Sequence, residues 1–219
     1  LVEEAHRYGA AISCEILHAG RIAQPNALAG RKAWVPWLTP DMDPDLFEEI
    51  TEEQMDEVID LFCKAAVRLR DAGFDMVLIH GAHGNLVSAF FSPLTNQRTD
   101  EYGGSLDARM RFLLEVIAEI RERCGKDFII DVRISGDEYT DGGLTLNDMI
   151  YVSRRLEKAG VDMIHVSGGT TIKRGSAIPA AGTQQASHAA CSREIKKHVN
   201  IPVATVGRIN EAWIAEELI

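Results

Sequence analysis

The chain has 219 residues, of which 46% are hydrophobic and 26% charged, a balance typical of one large globular domain with a sizeable core. Its formal net charge of −10, with acidic and basic residues mixed along the chain, argues against nucleic acid or an anionic membrane as a partner. The four cysteines are far apart and no apolar run is long enough to span a bilayer, so we expect a cytoplasmic protein without a disulfide framework or structural zinc.

Apolar, β-branched runs alternate with amphipathic stretches along the whole chain. Residues 1–10 and 216–219 are typical of helices that continue beyond the sequence, so we interpret the chain as a segment of a longer protein. Between them we predict five strands, which read AISCEIL, FDMVLIH, FIIDVRIS, VDMIHVS and IPVATVG. Continuous apolar strands of this kind are typical of a parallel sheet that is buried on both faces.

Two of the predicted helices have clear boundaries. Thr51 and Gln54 predict a capping box at the start of the first, and Gly73 predicts its end. The second is predicted to begin near Thr145 and to end at Gly160. Both lead into similar junctions, RDAGFDMVLIHGAHG and EKAGVDMIHVSGGT, which indicates a repeated helix-to-strand unit of a (β/α)8 barrel or a doubly wound sheet.

Polar residues follow one predicted strand after another, and no glycine-rich dinucleotide fingerprint follows any of them. These residues are His18, Arg21, His80, His83, Arg133, Ser135, Ser167 and Arg208. Because the strand ends of a barrel meet at one mouth, this pattern favours an α/β fold of the (β/α)8 TIM-barrel type. With about five of eight strands visible, residues 1–219 are predicted to be one partial barrel domain, truncated at both ends.

The most specific pattern lies at residues 80–105, which read HGAHGNLVSAFFSPLTNQRTDEYGGS. This stretch resembles the Old Yellow Enzyme family of FMN-dependent oxidoreductases, as do HAGR at 18–21, DVRIS at 131–135 and VGRI at 206–209. The motifs occur in the family's order, and the chain looks nearest to the branch of enoate and 2,4-dienoyl-CoA reductases.

The resemblance implies an FMN-containing barrel that passes hydride from NADH or NADPH, through the flavin, to the C=C bond of an α,β-unsaturated carbonyl compound. The unsaturated carbonyl compound is the expected partner, and whether the protein forms a homo-oligomer is left open. The branch also implies FAD and a 4Fe-4S cluster in parts of the protein outside this chain.

Within this resemblance, His80 and His83 match the catalytic pair that hydrogen-bonds the carbonyl oxygen of the substrate. Hydride arriving at the β-carbon moves negative charge onto that oxygen, and two fixed donors stabilise the charge. The histidines could instead be ordinary strand-end residues, or metal ligands together with His18 or His165. No carboxylate stands at a matching spacing in the motif, so we predict no metal site.

Three residues match cofactor contacts of the family. Arg133 matches the arginine beside the N1 and O2 edge of the flavin, where a cation stabilises the negative charge of the reduced ring. A plain ion pair with Asp131 or Glu138 is the alternative. Gly207 and Arg208 match the loop that receives the ribityl phosphate, with backbone N–H groups expected from the start of the following helix.

Two residues depart from the family pattern. Glu15 stands where most members have a glutamine at the pyrimidine edge of the flavin, and a carboxylate accepts the N3 proton but cannot donate to a flavin oxygen unless it is protonated. We therefore expect Glu15 to lower the flavin potential or to point elsewhere.

Asn85 stands where family reductases carry the tyrosine that protonates the substrate α-carbon, and an asparagine cannot be that acid. The proton would then come from water, from the histidines or from a residue outside this chain. The missing tyrosine leaves open an amine dehydrogenase-like flavoprotein that oxidises a C–N bond. From other classes, a metal-dependent barrel hydrolase and a flavin-binding protein without turnover also remain.

The rest of the long motif is predicted to be structural. Asn96, Arg98, Asp100 and residues 102–105 are expected to hold a polar loop, with Ser105 as the N-cap of the next helix.

Two further loops are predicted to lie near the mouth. AWVPW at 33–37 either forms a wall of the substrate pocket or covers the edge of the barrel. In the loop at 172–182, Lys173 and Arg174 are available to an acidic substrate group or to the cofactor phosphate.

Overall fold

The computed structural model describes residues 1–173 and 177–219, and its central element is a five-stranded parallel sheet. Within these residues the strands β1 to β7 are Ser13–Ile16, Ala33–Val35, Phe47–Glu49, Met76–Gly81, Ile129–Ser135, Met163–Ser167 and Val203–Thr205. The helices α1 to α7 are Val2–Arg7, Glu52–Asp71, Leu86–Phe91, Leu106–Cys124, Leu146–Lys158, Ala189–Lys196 and Ala212–Leu218. None of the helices in the described ranges combines the length and the apolar character needed to cross a membrane.

The order of the large sheet is β1-β4-β5-β6-β7, so its strands follow one another in chain order and every neighbouring pair is parallel. All five predicted strands are confirmed. A doubly wound sheet changes direction at a switch point, whereas a barrel winds in one direction only. The observed order is that of a barrel.

The two faces of this sheet differ in chemistry because successive side chains point to opposite faces. One face packs against the helices and forms the core, with Val77, Ile79, Ile130, Val132, Ile134, Ile164 and Val166 all fully buried. The opposite face carries the polar side chains Glu15, His80, Asp131, Arg133 and His165. His80, Arg133 and His165 occupy one row of the register across β4, β5 and β6. This row brings residues far apart in sequence to the inside of the barrel.

The predicted helix boundaries are confirmed. The hydroxyl of Thr51 accepts from the N–H of Gln54 at 3.3 Å, and the Gln54 side chain accepts from the N–H of Thr51 at 2.9 Å. Thr145 begins α5 with a second capping box. Gly73 and Gly160 follow the two helices with φ values of +86° and +90°, which suit glycine.

A second, two-stranded parallel sheet pairs β2 with β3 in a region where we predicted only a connection. Trp34 is half-buried, and its Nε1 donates to Glu48 across this pair at 2.9 Å. The guanidinium of Arg98 supports the same region, donating to the carbonyls of Pro36 at 3.1 Å and Ile50 at 3.0 Å. Strands of three residues are too short to produce an alternating pattern, and their position depends on contacts with a distant loop.

The predicted structural role of the polar loop after α3 is confirmed. Asn96 Nδ2 donates to the carbonyls of Phe90 at 2.8 Å and Tyr102 at 2.7 Å, which closes the loop. A side chain at Gly103 would collide with the carbonyl of Arg98, so the tight turn requires glycine there. Ser105 caps α4 by accepting from the N–H of Ala108 at 3.2 Å.

Candidate active site

His80 lies near the carboxyl end of β4 and is 7% exposed. Its Nδ1 accepts from the N–H of Ala82 at 3.2 Å. Because a backbone N–H can only donate, the proton of the neutral ring lies on Nε2, which is 3.8 Å from a carboxylate oxygen of Glu15. Burial lowers the pKa of His80, and Glu15 opposes that effect. The ring is therefore a neutral donor whose Nε2–H lies on the interior face of the sheet, near the Glu15 carboxylate.

His83 follows the strand with a φ of +64°, an unusual conformation that turns its ring back toward the sheet. Its N–H donates to Ser135 Oγ at 3.2 Å, and its Nε2 lies 2.8 Å from Ser167 Oγ. Burial and then the positive charge of Arg133 lower the pKa of His83 to about 3. The ring centroids of His80 and His83 are 5.2 Å apart, so two neutral imidazoles meet at this strand end.

Asn85 occupies the N-cap position of α3 and is 3% exposed. Its Nδ2 donates to the carbonyl of Ala82 at 3.2 Å and lies 3.3 Å from each ring nitrogen of His80. Its Oδ1 is buried without a hydrogen-bond partner in the described part of the chain. The amide packs directly on the imidazole and helps to fix its orientation.

Arg133 forms an ion pair with Glu15, with Nη1 at 3.3 and 3.4 Å from the two carboxylate oxygens. The alternative pairing with Asp131 or Glu138 is wrong. Glu138 instead accepts from the hydroxyl of Ser92 and the N–H of Leu144, both at 2.8 Å. The guanidinium thus lies beside His80 with its charge partly balanced by Glu15.

The loop after β7 contains Gly207, with a φ of +119°. A side chain at this position would collide with Ser187 Oγ. The hydroxyls of Ser187 and Thr205 are both buried without a hydrogen-bond partner among the described residues. Gly207 is therefore required for a close approach of two loops, and the unpartnered hydroxyl of Ser187 lies directly beside it.

Arg208 has a φ of +52°, and its guanidinium donates to the carbonyl of Thr183 in the preceding loop. Helix α7, whose first N–H groups we expected to face the phosphate, begins at Ala212, beyond the motif at residues 206–209. Lys173 donates to the carbonyl of Tyr139 at 2.8 Å. Arg174 lies outside the described residues.

One polar group of the interior face was not predicted as part of the site. Asp131 is 3% exposed on β5, and its Oδ2 lies 3.9 Å from Nδ1 of His165 on β6. Burial raises the pKa of Asp131 to about 7. The available signal was a charged residue in the middle of the apolar run FIIDVRIS.

The described residues contain no group of three or more histidine, cysteine or acidic side chains placed to hold a metal ion. The fold and the site together define part of a parallel α/β barrel with polar side chains gathered at the carboxyl ends of its strands.

Comparison with known protein families identifies the family of this chain. Residues 1–219 match the NADH:flavin oxidoreductase / NADH oxidase family over their whole length, and the chain belongs to that family. The resemblance to the Old Yellow Enzyme family is confirmed.

Two curated relatives align with the entire chain. It is 42% identical over 223 residues to an NADH oxidase of Thermoanaerobacter brockii and 39% identical over 225 residues to an NADPH dehydrogenase of Halalkalibacterium halodurans. The aligned region covers 34% and 61% of these two relatives, so the chain spans between a third and two thirds of their length.

Solved structures give the same fold. A 2-naphthoyl-CoA reductase complex superposes with a TM-score of 0.89 at 25% identity, covering 99% of this chain and 35% of that one. A histamine dehydrogenase from Rhizobium sp. 4-9 superposes with a TM-score of 0.86 at 27% identity, covering 99% of this chain and 32% of that one. The Old Yellow Enzyme from Pichia sp. AKU4542 superposes with a TM-score of 0.75 at 24% identity, covering 99% of this chain and 57% of that one. The prediction of a partial TIM barrel is confirmed.

Proposed function

We propose that the protein is an FMN-dependent oxidoreductase that uses NADH or NADPH to reduce the activated C=C bond of an α,β-unsaturated carbonyl compound. The observation that carries this proposal is the meeting of two neutral imidazoles with the Glu15–Arg133 pair at the ends of neighbouring strands. The NADH oxidase and NADPH dehydrogenase relatives support a nicotinamide reductant. The likeness to 2-naphthoyl-CoA reductase supports a reductive reaction.

The side chains present fit FMN at both of its ends. Arg133 would donate to the pyrimidine edge of the ring, and the Glu15 carboxylate would accept its N3 proton. At the other end, Gly207, Arg208 and the unpartnered hydroxyl of Ser187 offer donors to a phosphate. When bound, FMN supplies the chemistry of hydride transfer, which no side chain of the protein can provide.

The histidines act as donors to the substrate oxygen. The Nε2–H of His80 is fixed by the bond from Ala82 to Nδ1, so the donor needs no rearrangement when negative charge develops. Both imidazoles are neutral at neutral pH because their pKa values are lowered. Neither is therefore an imidazolium acid, which favours water as the source of the proton for the α-carbon.

The proposal is tested by the colour of the FMN-loaded protein under anaerobic conditions. We expect NADH or NADPH to bleach the flavin absorbance and a cyclic enone to restore it, with one saturated product formed per flavin reoxidised. A protein that is bleached but not reoxidised by enones contradicts the reaction we propose, and a protein that takes up no FMN contradicts the cofactor as well.

An amine dehydrogenase-like oxidation of a C–N bond is the second candidate. The observations in its favour are Asn85 in place of the acidic tyrosine and the likeness to histamine dehydrogenase at 27% identity. In the same cuvette, a primary amine added without NADH would then bleach the flavin directly. A metal-dependent hydrolase is not supported, because the chain belongs to a flavin oxidoreductase family.

Replacing Asn85 with tyrosine tests the missing acid. If proton delivery limits the reaction, we expect Asn85→Tyr to speed reoxidation by an enone about tenfold, since a positioned general acid contributes at least that much. The rate is measured by stopped-flow absorbance. Asn85→Phe is the matched control, because it adds the same ring to a site that is 3% exposed without adding a hydroxyl. A tyrosine variant no faster than the phenylalanine variant means that the proton has another source.

A further inference from the structure

Asp131 and His165 form a buried pair on the interior face of the sheet that the proposed reaction does not use. Asp131 Oδ2 lies 3.9 Å from His165 Nδ1 across the β5 and β6 strands. Asp131 Oδ1 and His165 Nε2 are both buried without a hydrogen-bond partner in the described ranges. Each side chain therefore keeps an unsatisfied polar atom in the barrel interior, which is costly unless protons or water satisfy it.

The charged and titratable groups around this pair come from three strands and from the loop after β4. Glu15 lies on β1, His80 on β4 and Arg133 two residues beyond Asp131 on β5, and His83 in the loop interacts electrostatically with His165. On β7 the residue beside His165 is Ala204, which carries no charge. Arg133, the permanent cation of this group, makes its ion pair with Glu15 at 3.3 Å, so its charge acts on the Asp131 carboxylate only from beyond ion-pair distance.

A buried carboxylate without a permanent cation in ion-pair contact tends to hold a proton, because burial removes its charge from water at a large cost in free energy. Burial raises the pKa of Asp131 to about 7 and lowers the pKa of His165. Near neutral pH the pair is therefore close to the point at which it gains or loses one proton. A negative charge added nearby would therefore favour the protonated form of the pair.

We propose that the Asp131–His165 pair takes up one proton from solvent when bound FMN is reduced. The inference rests on the proposed function, since it requires FMN at the Glu15–Arg133 edge. Hydride from NADH or NADPH delivers two electrons and one proton to the ring and leaves NAD⁺ or NADP⁺. The ring then carries an added negative charge, and a second proton from solvent joins the Asp131 carboxylate to offset it. Protonation of Asp131 thus neutralises one negative charge inside the barrel when reduction adds another.

The dependence of the flavin midpoint potential on pH tests this inference. For a two-electron couple, each additional proton taken up adds about 30 mV per pH unit to the slope. Above about pH 7, where oxidised protein has an ionised Asp131, we expect the wild-type slope to exceed that of Asp131→Asn by up to this amount. Asparagine keeps the size of the side chain and cannot titrate, so the difference between the two slopes isolates the carboxylate.

Glu138→Gln is the matched control, because Glu138 is equally buried, at 3% exposure, but is bonded to Ser92 and Leu144 and not to the interior face. Its slope should equal that of the wild type. A second measurement follows the ¹³C shift of the Asp131 carboxyl, whose titration midpoint should rise when the flavin is reduced.

The outcomes separate this inference from the proposed function. Equal slopes in wild type and Asp131→Asn, or a carboxyl titration that does not move on reduction, overturn the inference while reduction by NADH and reoxidation by enone persist. A protein that takes up no FMN overturns both.

Discussion

Replacing His80 with alanine is expected to slow reoxidation of the reduced protein by an enone about a hundredfold, the cost of removing one fixed donor to a developing oxyanion. The N–H of Ala82 fixes the tautomer of His80. The Nε2–H of His80 is the donor that we assign to the substrate oxygen. Stopped-flow absorbance gives this rate, and the rate of bleaching by NADH, measured on the same sample, shows whether the effect is confined to the enone step.

His80→Asn is the conservative variant for this prediction. Its side-chain oxygen can accept from Ala82 while its amide donates, so we expect it to recover part of the lost rate. His198→Ala, at an exposed histidine beyond α6, should behave like the wild type. A His80→Ala variant that reoxidises at the wild-type rate would remove His80 from the catalytic pair.

The fold could be predicted from sequence because its signals are local. The strands are apolar runs, and the helix boundaries are set by residues three apart, as in the bonds between Thr51 and Gln54. The helix-to-strand junctions before β4 and β6 repeat within the chain. The two short strands β2 and β3 have no such local signal. The region around them is held by Arg98, which donates to the carbonyl of Pro36, 62 residues earlier in the chain.

The partners within the candidate site could not be predicted in the same way. Glu15 and Arg133 are 118 residues apart, and His83 and Ser167 are 84 apart. These pairs meet only because the strands adopt one register, and a shift by one residue would send each side chain to the opposite face. The residue types were predicted from motifs, whereas the balance of charge around Arg133 and the Asp131–His165 pair required the three-dimensional structure.

Replacing Glu15 with glutamine is expected to raise the flavin midpoint potential by on the order of 50 mV, from the Coulomb energy of one unit charge several ångströms away at an intermediate dielectric constant. The Glu15 carboxylate lies 3.3 Å from Arg133 and partly cancels the guanidinium charge. Neutral glutamine leaves that positive charge uncompensated beside a ring that becomes negative on reduction. The added charge is then better stabilised, and a redox titration against dyes of known potential measures the shift.

Glu48→Gln is the matched control for this change, because Glu48 is a carboxylate bonded to Trp34 in the small β2–β3 sheet. Glutamine can still accept that bond through its amide oxygen, so the substitution removes one negative charge without disturbing the interior face. We expect its potential to stay within a few millivolts of the wild type, since the Glu48 carboxylate is bonded to Trp34 in the second sheet and not to Arg133. A potential in Glu15→Gln that is unchanged or lower would mean that Glu15 and Arg133 do not lie at the flavin edge.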